Sequence, residues 1–197
     1  MPGRDLLIFG GEADALLAEV SRFITGEHRL PEPERALAAI FFSDLVGSTE
    51  QATVLGDAHW KRMLDRHDEV ARSCIGRRGG AIIKIDGDGD GVLALFTSAT
   101  NAIRAGCELR TALLRDDLRL RVGIHVGEVD RRDHDVSGIA VVIAARVMAH
   151  AKHGGLLVSE AVPPVVAGSG IEFQAYGEHE VKGVPGTWRL YALVEEA

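Results

Sequence analysis

Cysteine is scarce in this sequence: only Cys74 and Cys107 occur among its 197 residues. Two cysteines are too few for a disulfide framework or for a zinc site built from cysteine alone. Both lie in segments with helical periodicity, so we expect them to be buried thiols. This usage is typical of a reducing compartment, and the sequence starts without a signal-peptide pattern, so we expect a cytoplasmic location.

Long apolar runs and an excess of positive charge are also missing. No run approaches the roughly 20 apolar residues that a membrane-spanning helix needs, so we predict no membrane span. The 22 Lys and Arg residues against 29 Asp and Glu residues give a net charge of −7, which argues against a general nucleic-acid binder. The whole sequence is 46% hydrophobic and 26% charged, which is the composition of a globular protein with a substantial core.

The first part of the chain differs from the rest. Residues 12–25 repeat apolar side chains at helical spacing, and Pro31 and Pro33 follow among charged residues. We interpret residues 1–35 as an N-terminal helix and linker, either the tail of a preceding regulatory domain or a dimerising helix joined to the main domain. Residues 36–197 form the main domain.

In the main domain, patterns of strand and helix alternate. The order is strand, helix, strand, strand, helix, strand, helix, followed by smaller elements, which predicts an α+β fold with a ferredoxin-like βαββαβ core and a C-terminal extension. The predicted segments of the core are a strand at 38–42, a helix at 50–75, strands at 81–85 and 92–96, a helix at 98–114, a strand at 118–126 and a helix at 138–151.

The first strand of the domain leads into Asp44, a turn at Gly47 and a polar helix. Gly47 lets the backbone turn closely, and Ser48 or Thr49 can cap the helix. The N–H groups at a helix start attract phosphate oxygens, but Asp44 would repel phosphate unless a cation lay between them. The pattern therefore indicates a metal–polyphosphate site, and the alternative is a plain Asp-capped turn between strand and helix.

A second acidic stretch places Asp86, Asp88 and Asp90 on a glycine-rich hairpin turn. These carboxylates repel one another unless a cation is present, although a solvated hairpin tip is the alternative. The start of an EF-hand loop looks similar, but Thr97 stands where that loop needs its bidentate Glu, and the flanking segments are strands. In a ferredoxin-like core the hairpin neighbours the first strand, so Asp44 and one hairpin carboxylate could share Mg²⁺ with a nucleotide triphosphate.

Four separated motifs in the same order resemble the class III adenylyl/guanylyl cyclase catalytic domain of the bacterial single-domain type. The resemblance covers about residues 36–194. The motifs are the first metal motif at 42–49, a lysine followed by a Gly-Asp pair at 84–89, a segment with a base-recognising Asp and a transition-state Arg at 135–146, and the closing strands at 181–191.

The resemblance implies a head-to-tail homodimer whose two active sites lie in the cleft between subunits. Each site would convert ATP to cyclic AMP and pyrophosphate with two Mg²⁺ or Mn²⁺ ions. Asp44, the Leu45 carbonyl and a hairpin carboxylate would hold the ions. Lys84 and Asp135 of the other subunit would recognise adenine, because an amine and a carboxylate match its ring nitrogen and exocyclic amine.

Further roles follow from the same resemblance. Arg146 would stabilise charge on the phosphoryl group during attack by the ribose 3′-hydroxyl on the α-phosphorus. Lys182 would hold the terminal phosphates. The turn would bind the triphosphate through its residues Val46, Gly47, Ser48 and Thr49.

The sequence departs from the family pattern in the hairpin, which is about two residues too long. Counting from Lys84 selects Asp88 as the second metal ligand, and this is the assignment we prefer. Counting back from Phe96 selects Asp90 instead, and a β-bulge could absorb the extra residues.

A second departure is Val142, which stands where the family has an Asn that orients the substrate. Valine cannot donate a hydrogen bond, so we expect a rate lower by roughly ten- to a thousandfold. The alternative function is a degenerate cyclase-like module that dimerises and binds nucleotide. A GTP-using cyclase is a third hypothesis, and Lys84 with Asp135 argue against it.

Overall fold

The computed structural model describes residues 34–85, 90–132, 135–151, 154–180 and 182–194. By its contacts the chain divides into two units, residues 1–33 and residues 34–197. The helix and linker predicted for the N-terminal part lie outside the described residues up to position 33. Asp86 and Asp88 of the hairpin lie outside them as well.

The second unit consists of strands and helices in the following order. The strands are β1 (Glu34–Leu45), β2 (Ala81–Ile85), β3 (Gly91–Phe96), β4 (Leu120–Arg132), β5 (Asp135–Ser137), β6 (Gly155–Ser159), β7 (Phe173–Glu180) and β8 (Thr187–Leu193). The helices are α1 (Ser48–Leu55), α2 (Asp57–Arg77), α3 (Ala99–Leu114), α4 (Ile139–His150) and α5 (Val162–Val165).

Within the described residues, eight strands form one sheet in the order β2-β3-β1-β4-β6-β8-β7, with β5 paired to β4. The strand β1 lies between β3 and β4 and is antiparallel to both. The first four strands of this order, with α2 and α3, are the predicted ferredoxin-like core. The strands β6, β8 and β7 extend it, so the predicted α+β fold class is confirmed.

Helices cover both faces of β1, which explains its continuous apolar run. Ala39 and Phe41 belong to the large core cluster that includes residues of α2 and α3. Ala38 and Ile40 point to the other face and belong to a cluster with residues of α4. Because successive side chains of a strand alternate between faces, Asp44 lies on the α4 face of the sheet.

Three boundaries differ from those predicted. The helix expected at 50–75 is interrupted at Gly56, whose φ of 75° is in the left-handed region, so α1 and α2 are separate. The strand β1 begins at Glu34, inside the predicted linker, because it pairs with β4 along its whole length. The strand predicted at 118–126 continues to Arg132 in β4. None of the helices in the described part of the chain is long and apolar enough to cross a membrane.

Candidate active site

Asp44 lies near the end of β1, between two neighbouring strands. Its backbone is opposite Gly91 on β3 and opposite Arg121 on β4. The next two residues also form backbone hydrogen bonds to both sides. The Leu45 N–H donates to the Asp90 carbonyl at 3.0 Å, and the Val46 N–H donates to the Arg119 carbonyl at 2.8 Å. The backbone that presents Asp44 is therefore held from both sides.

The turn after Asp44 depends on Gly47, which has a φ of 72° and is the N-cap of α1. A side chain at this position would be strained by the left-handed backbone. No side chain caps the helix, and Ser48 is its first residue, so the prediction that Ser48 or Thr49 caps α1 is wrong. The backbone conformation of glycine, and not a hydroxyl acceptor, starts this helix.

The first turn of α1 is accessible. The helix has no buried residue, Gly47 and Thr49 are exposed, and Ser48 is half-buried. The amide side chain of Gln51 donates to the Val46 carbonyl at 3.1 Å, which fixes the turn against the helix. The N–H groups at this helix start can therefore meet an anionic ligand from solvent.

Asp90 faces the same turn. It lines a pocket of about 450 Å³ together with residues of α1 and α2: Ser48, Thr49, Ala52, Thr53, Asp57, Trp60 and Leu64. The Leu45 N–H donates to the Asp90 carbonyl, so the backbone of Asp90 lies next to the end of β1 that carries Asp44, while its side chain lines the pocket beside α1.

The donor set suits a cation that arrives with a nucleotide. Among the described residues, no group of three or more His, Cys, Asp or Glu side chains is arranged to hold a metal ion. Two carboxylates with phosphate oxygens are nevertheless the usual donors for Mg²⁺, which rarely uses an all-protein cage. Asp44, Asp90 and the Leu45 carbonyl supply oxygen donors of this kind on neighbouring backbone segments.

The pairing of β2 with β3 is irregular just before Lys84, outside the stretch from Lys84 to Phe96 in which a bulge was considered. The pairing of β2 with β3 shifts register between Ile82 and Lys84. Lys84 is opposite Leu93 and is exposed, on the edge strand of the sheet. The strand β3 thus separates Lys84 from Asp44.

Asp135 lies at the opposite end of β4 from Asp44. It pairs with Arg132, whereas Asp44 pairs with Arg121. At about 3.3 Å per residue, the intervening strand is roughly 35 Å long. Asp135 is exposed, and its Oδ1 accepts a hydrogen bond from the Val136 N–H at 2.8 Å. A single chain therefore does not bring Asp135 to Asp44.

The remaining predicted residues are on the surface. Arg146 is exposed on α4, on the same side of the helix as Ile139 and Val142, which are 56% and 40% exposed. Lys182 is exposed in the turn between β7 and β8. It lines a pocket of about 530 Å³ with Glu180, Gly183, Val184, Gly186 and Thr187.

The sequence analysis missed Arg121, which forms an ion pair with Asp44. The Arg121 Nε donates to Asp44 Oδ2 at 2.8 Å, and Nη2 contacts the same oxygen. The alternation of β4 contained a signal: Leu120 and Val122 face the core, so Arg121 faces the other way, as Asp44 does. Its partner could not be identified without the register between strands.

A buried polar pair lies further along the same face of β4. His125 Nδ1 is 2.7 Å from the Ser159 hydroxyl oxygen on β6, and both residues are buried. Trp188 of β8 packs its ring edge-on against the imidazole. Burial lowers the pKa of His125 from 6.5 to about 4, so the ring is neutral at physiological pH. His125 therefore has a structural position in the sheet beneath α4.

Comparisons with known proteins agree with this architecture. Residues 31–195 match the family model described as the adenylate and guanylate cyclase catalytic domain. A putative adenylate cyclase 3 of Rhizobium meliloti is 34% identical over 159 residues, which cover 76% of this chain and 27% of that protein. This chain thus spans about a quarter of the length of that relative.

Two solved structures have the same fold. The adenylyl cyclase CyaB from P. aeruginosa has a TM-score of 0.76 at 24% identity, covering 84% of this chain and 97% of that one. An adenylate/guanylate cyclase/hydrolase from Silicibacter pomeroyi has a TM-score of 0.69 at 28% identity, covering 83% and 99%. The chain belongs to the family of adenylate and guanylate cyclase catalytic domains.

Proposed function

We propose that this domain is an adenylyl cyclase that acts as a head-to-tail homodimer. The ribose 3′-oxygen of ATP forms a bond to the α-phosphorus, the bond from that phosphorus to the β-phosphate oxygen breaks, and pyrophosphate leaves. The 3′-hydroxyl proton passes to solvent. The observation that supports this proposal best is the position of Asp44 near the end of β1, shortly before the accessible first turn of α1, with Asp90 lining the pocket beside that turn.

Asp44, Asp90 and the Leu45 carbonyl are the residues that we assign to the two Mg²⁺ or Mn²⁺ ions. Such ions, when bound, supply Lewis-acid stabilisation of the attacking oxygen and of the phosphates. The backbone from Val46 to Thr49 would hold the triphosphate through its N–H groups. We now favour Asp90 over Asp88, because Asp90 has a backbone hydrogen bond to Leu45 and faces α1.

The location of Asp135 supports the need for two subunits. It lies roughly 35 Å along β4 from the partner of Asp44, too far to join that site in one chain. In an antiparallel dimer the far end of one β4 can meet the near end of the other. The exposed apolar residues Ile139 and Val142 on α4 are consistent with a surface that a second copy covers.

Lys84 and Asp135 of the second subunit would bind the edge of adenine, the amine donating and the carboxylate accepting. The guanidinium of Arg146 would donate to the phosphoryl oxygens as their negative charge shifts. Lys182, exposed in its turn, would bind the terminal phosphates. Each of these side chains lies on the surface of the single chain, where a second copy can use it.

A degenerate cyclase module is the second candidate, and Val142 is the observation that favours it. A valine at 40% exposure provides an apolar contact but no hydrogen bond to ribose or phosphate. Such a module would still dimerise and bind nucleotide.

An activity measurement distinguishes the two candidates. The purified chain should form cyclic AMP from Mn-ATP faster than cyclic GMP from Mn-GTP. Asp44→Asn should reduce the rate by at least about a hundredfold, and Asp65→Asn, on the exposed side of α2, should not change it. ATP binding without any product would support the degenerate module, and a preference for GTP would contradict the assignment of Lys84 and Asp135.

Complementation tests the head-to-tail arrangement. Asp44→Asn and Arg146→Ala should each be inactive, but the heterodimers formed on mixing contain one intact site each. The mixture should therefore recover roughly a quarter of the wild-type activity. No recovery, with subunit exchange demonstrated, would mean that both residues act from the same chain.

The choice between Asp88 and Asp90 has its own test. Asp90→Asn should weaken Mn²⁺ binding as strongly as Asp44→Asn, whereas Asp88→Asn should change it by less than about threefold. The reverse result would restore the assignment based on counting from Lys84.

A further inference from the structure

The strands β1 and β4 are joined by a cross-strand ion pair near each end. Near one end Arg35 Nε is 3.2 Å from Asp130 Oδ1, and near the other Arg121 Nε is 2.8 Å from Asp44 Oδ2. The two pairs differ in burial. The side chains of Arg121 and Asp44 are 31% and 18% exposed, whereas that of Arg35 is 71% exposed.

The guanidinium of Arg121 is hydrogen-bonded to the carboxylate of Asp44, and the metal site proposed above depends on that carboxylate. Two of its nitrogens, Nε and Nη2, contact the same oxygen, Asp44 Oδ2. A divalent cation bound to that oxygen would take the position of these donors, and two positive groups cannot share it without strong repulsion. Metal binding and the ion pair are therefore alternatives at this oxygen.

The surroundings give Arg121 room to leave. Its backbone is fixed between β1 and β6, and its neighbour on β6 is Gly155. A Cβ built on Gly155 would have no atom within 4 Å. The guanidinium can thus rotate away from Asp44 on the β6 side while the backbone pairing of β4 stays in place.

We propose that Arg121 is a built-in competitor for the metal: it neutralises the Asp44 carboxylate when no cation is bound and sets the metal concentration at which the site fills. This inference depends on the proposed metal role of Asp44. It adds that Arg121 lowers the affinity of the nucleotide-free domain for divalent cations, so that the empty site keeps a stable, paired carboxylate at low metal concentrations.

Mn²⁺ binding in the absence of nucleotide tests the competition. Free Mn²⁺ is measured by electron paramagnetic resonance during titration of the wild type, Arg121→Gln and Arg119→Gln. Arg119 is exposed and two residues away, so its variant removes the same charge without removing the ion pair. We expect Arg121→Gln to bind Mn²⁺ about tenfold more tightly than the wild type, and Arg119→Gln to differ by less than about twofold because exposed charges are screened by salt.

A third variant separates this inference from the proposed function. If Asp44→Asn binds Mn²⁺ like the wild type, Asp44 is not a metal ligand and the proposed function fails. If Asp44→Asn loses binding while Arg121→Gln behaves like Arg119→Gln, Asp44 is a ligand but Arg121 does not compete, and only the present inference is overturned.

Nuclear magnetic resonance of the wild type provides a second test, which does not depend on whether Arg121→Gln folds. The Nε–H resonance of Arg121, assigned by its loss in Arg121→Lys, should be protected from solvent exchange without metal. Saturating Mg²⁺ should shift the resonance and remove its protection. A resonance that stays protected and unshifted at saturating Mg²⁺ would overturn the inference.

Discussion

Gly123 lies directly beneath the backbone of Met148. A Cβ built on Gly123 would be 2.2 Å from the Met148 nitrogen and 2.5 Å from its Cα. The distance between α4 and β4 is therefore set by the absence of a side chain at one position of the strand. The helix that approaches there also carries Arg146, so this glycine helps to position a residue of the proposed active site.

Gly123→Ala should destabilise the domain by about 3 kcal/mol, since the clash is with backbone atoms and cannot be relieved by a rotamer change. Chemical denaturation with urea measures the loss. Gly76→Ala is the matched control: a Cβ there has no atom within 4 Å, and the residue lies in α2, so this variant should gain roughly 0.5–1 kcal/mol. A similar stability for both variants would contradict the role of the close approach.

Two buried serines differ in their hydrogen bonding. Ser43 is 1% exposed, and its hydroxyl has no hydrogen-bond partner among the residues that the structure describes. Ser159 is fully buried and bonds to His125. Ser43→Ala should raise the free energy of unfolding by about 1 kcal/mol, because it removes an unsatisfied polar group, whereas Ser159→Ala should lower it by about 1–2 kcal/mol. Urea midpoints of the two variants should move in opposite directions.

The buried histidine makes stability depend on pH. His125 has a pKa of about 4 in the folded chain and about 6.5 when unfolded, so between these values the unfolded state binds the extra proton. The contribution of neutral His125 to the free energy of unfolding is therefore fully present above pH 6.5. It decreases by about 3 kcal/mol as the pH falls from 6.5 to 4.

His125→Asn keeps a polar partner for Ser159 but does not titrate. The difference in unfolding free energy between the wild type and this variant should therefore decrease between pH 7.5 and pH 4, measured by urea denaturation at each pH. The carboxylates titrate in both proteins and cancel in the difference. A difference that is constant with pH would show that His125 is protonated inside the folded chain.

The order of strands and helices was predictable because the relevant signals are local. Ser98 illustrates this: its side chain accepts from the Asn101 N–H at 3.3 Å and caps α3, at the first position of the helix predicted for residues 98–114. The break at Gly56 was not predictable, because a single glycine in a helical pattern costs only about 1 kcal/mol and usually leaves the helix intact.

The candidate site was predictable only where it is local in sequence. Asp44 and its turn form one continuous motif. Arg121, 77 residues away, became visible only through the pairing of β1 with β4. Asp90 became the favoured hairpin carboxylate because of a backbone bond to Leu45, and no count of residues could distinguish it from Asp88.

Val142 is the position at which the proposed enzyme can be improved. It lies on the exposed side of α4, four residues before Arg146, so a polar side chain there would project from the same surface as the guanidinium. Val142→Asn should raise kcat by at least about tenfold, since it restores a hydrogen-bond donor near the ribose and phosphate. The KM for ATP should change little, because the contact strengthens in the transition state.

Val142→Ala is the matched control, because it removes apolar bulk without adding a donor. It should leave kcat within about twofold of the wild type if hydrogen bonding is the cause. An equal gain in both variants would mean that the valine obstructs the site sterically. No gain in Val142→Asn, with dimerisation intact, would mean that another group of the chain already supplies the missing hydrogen bond.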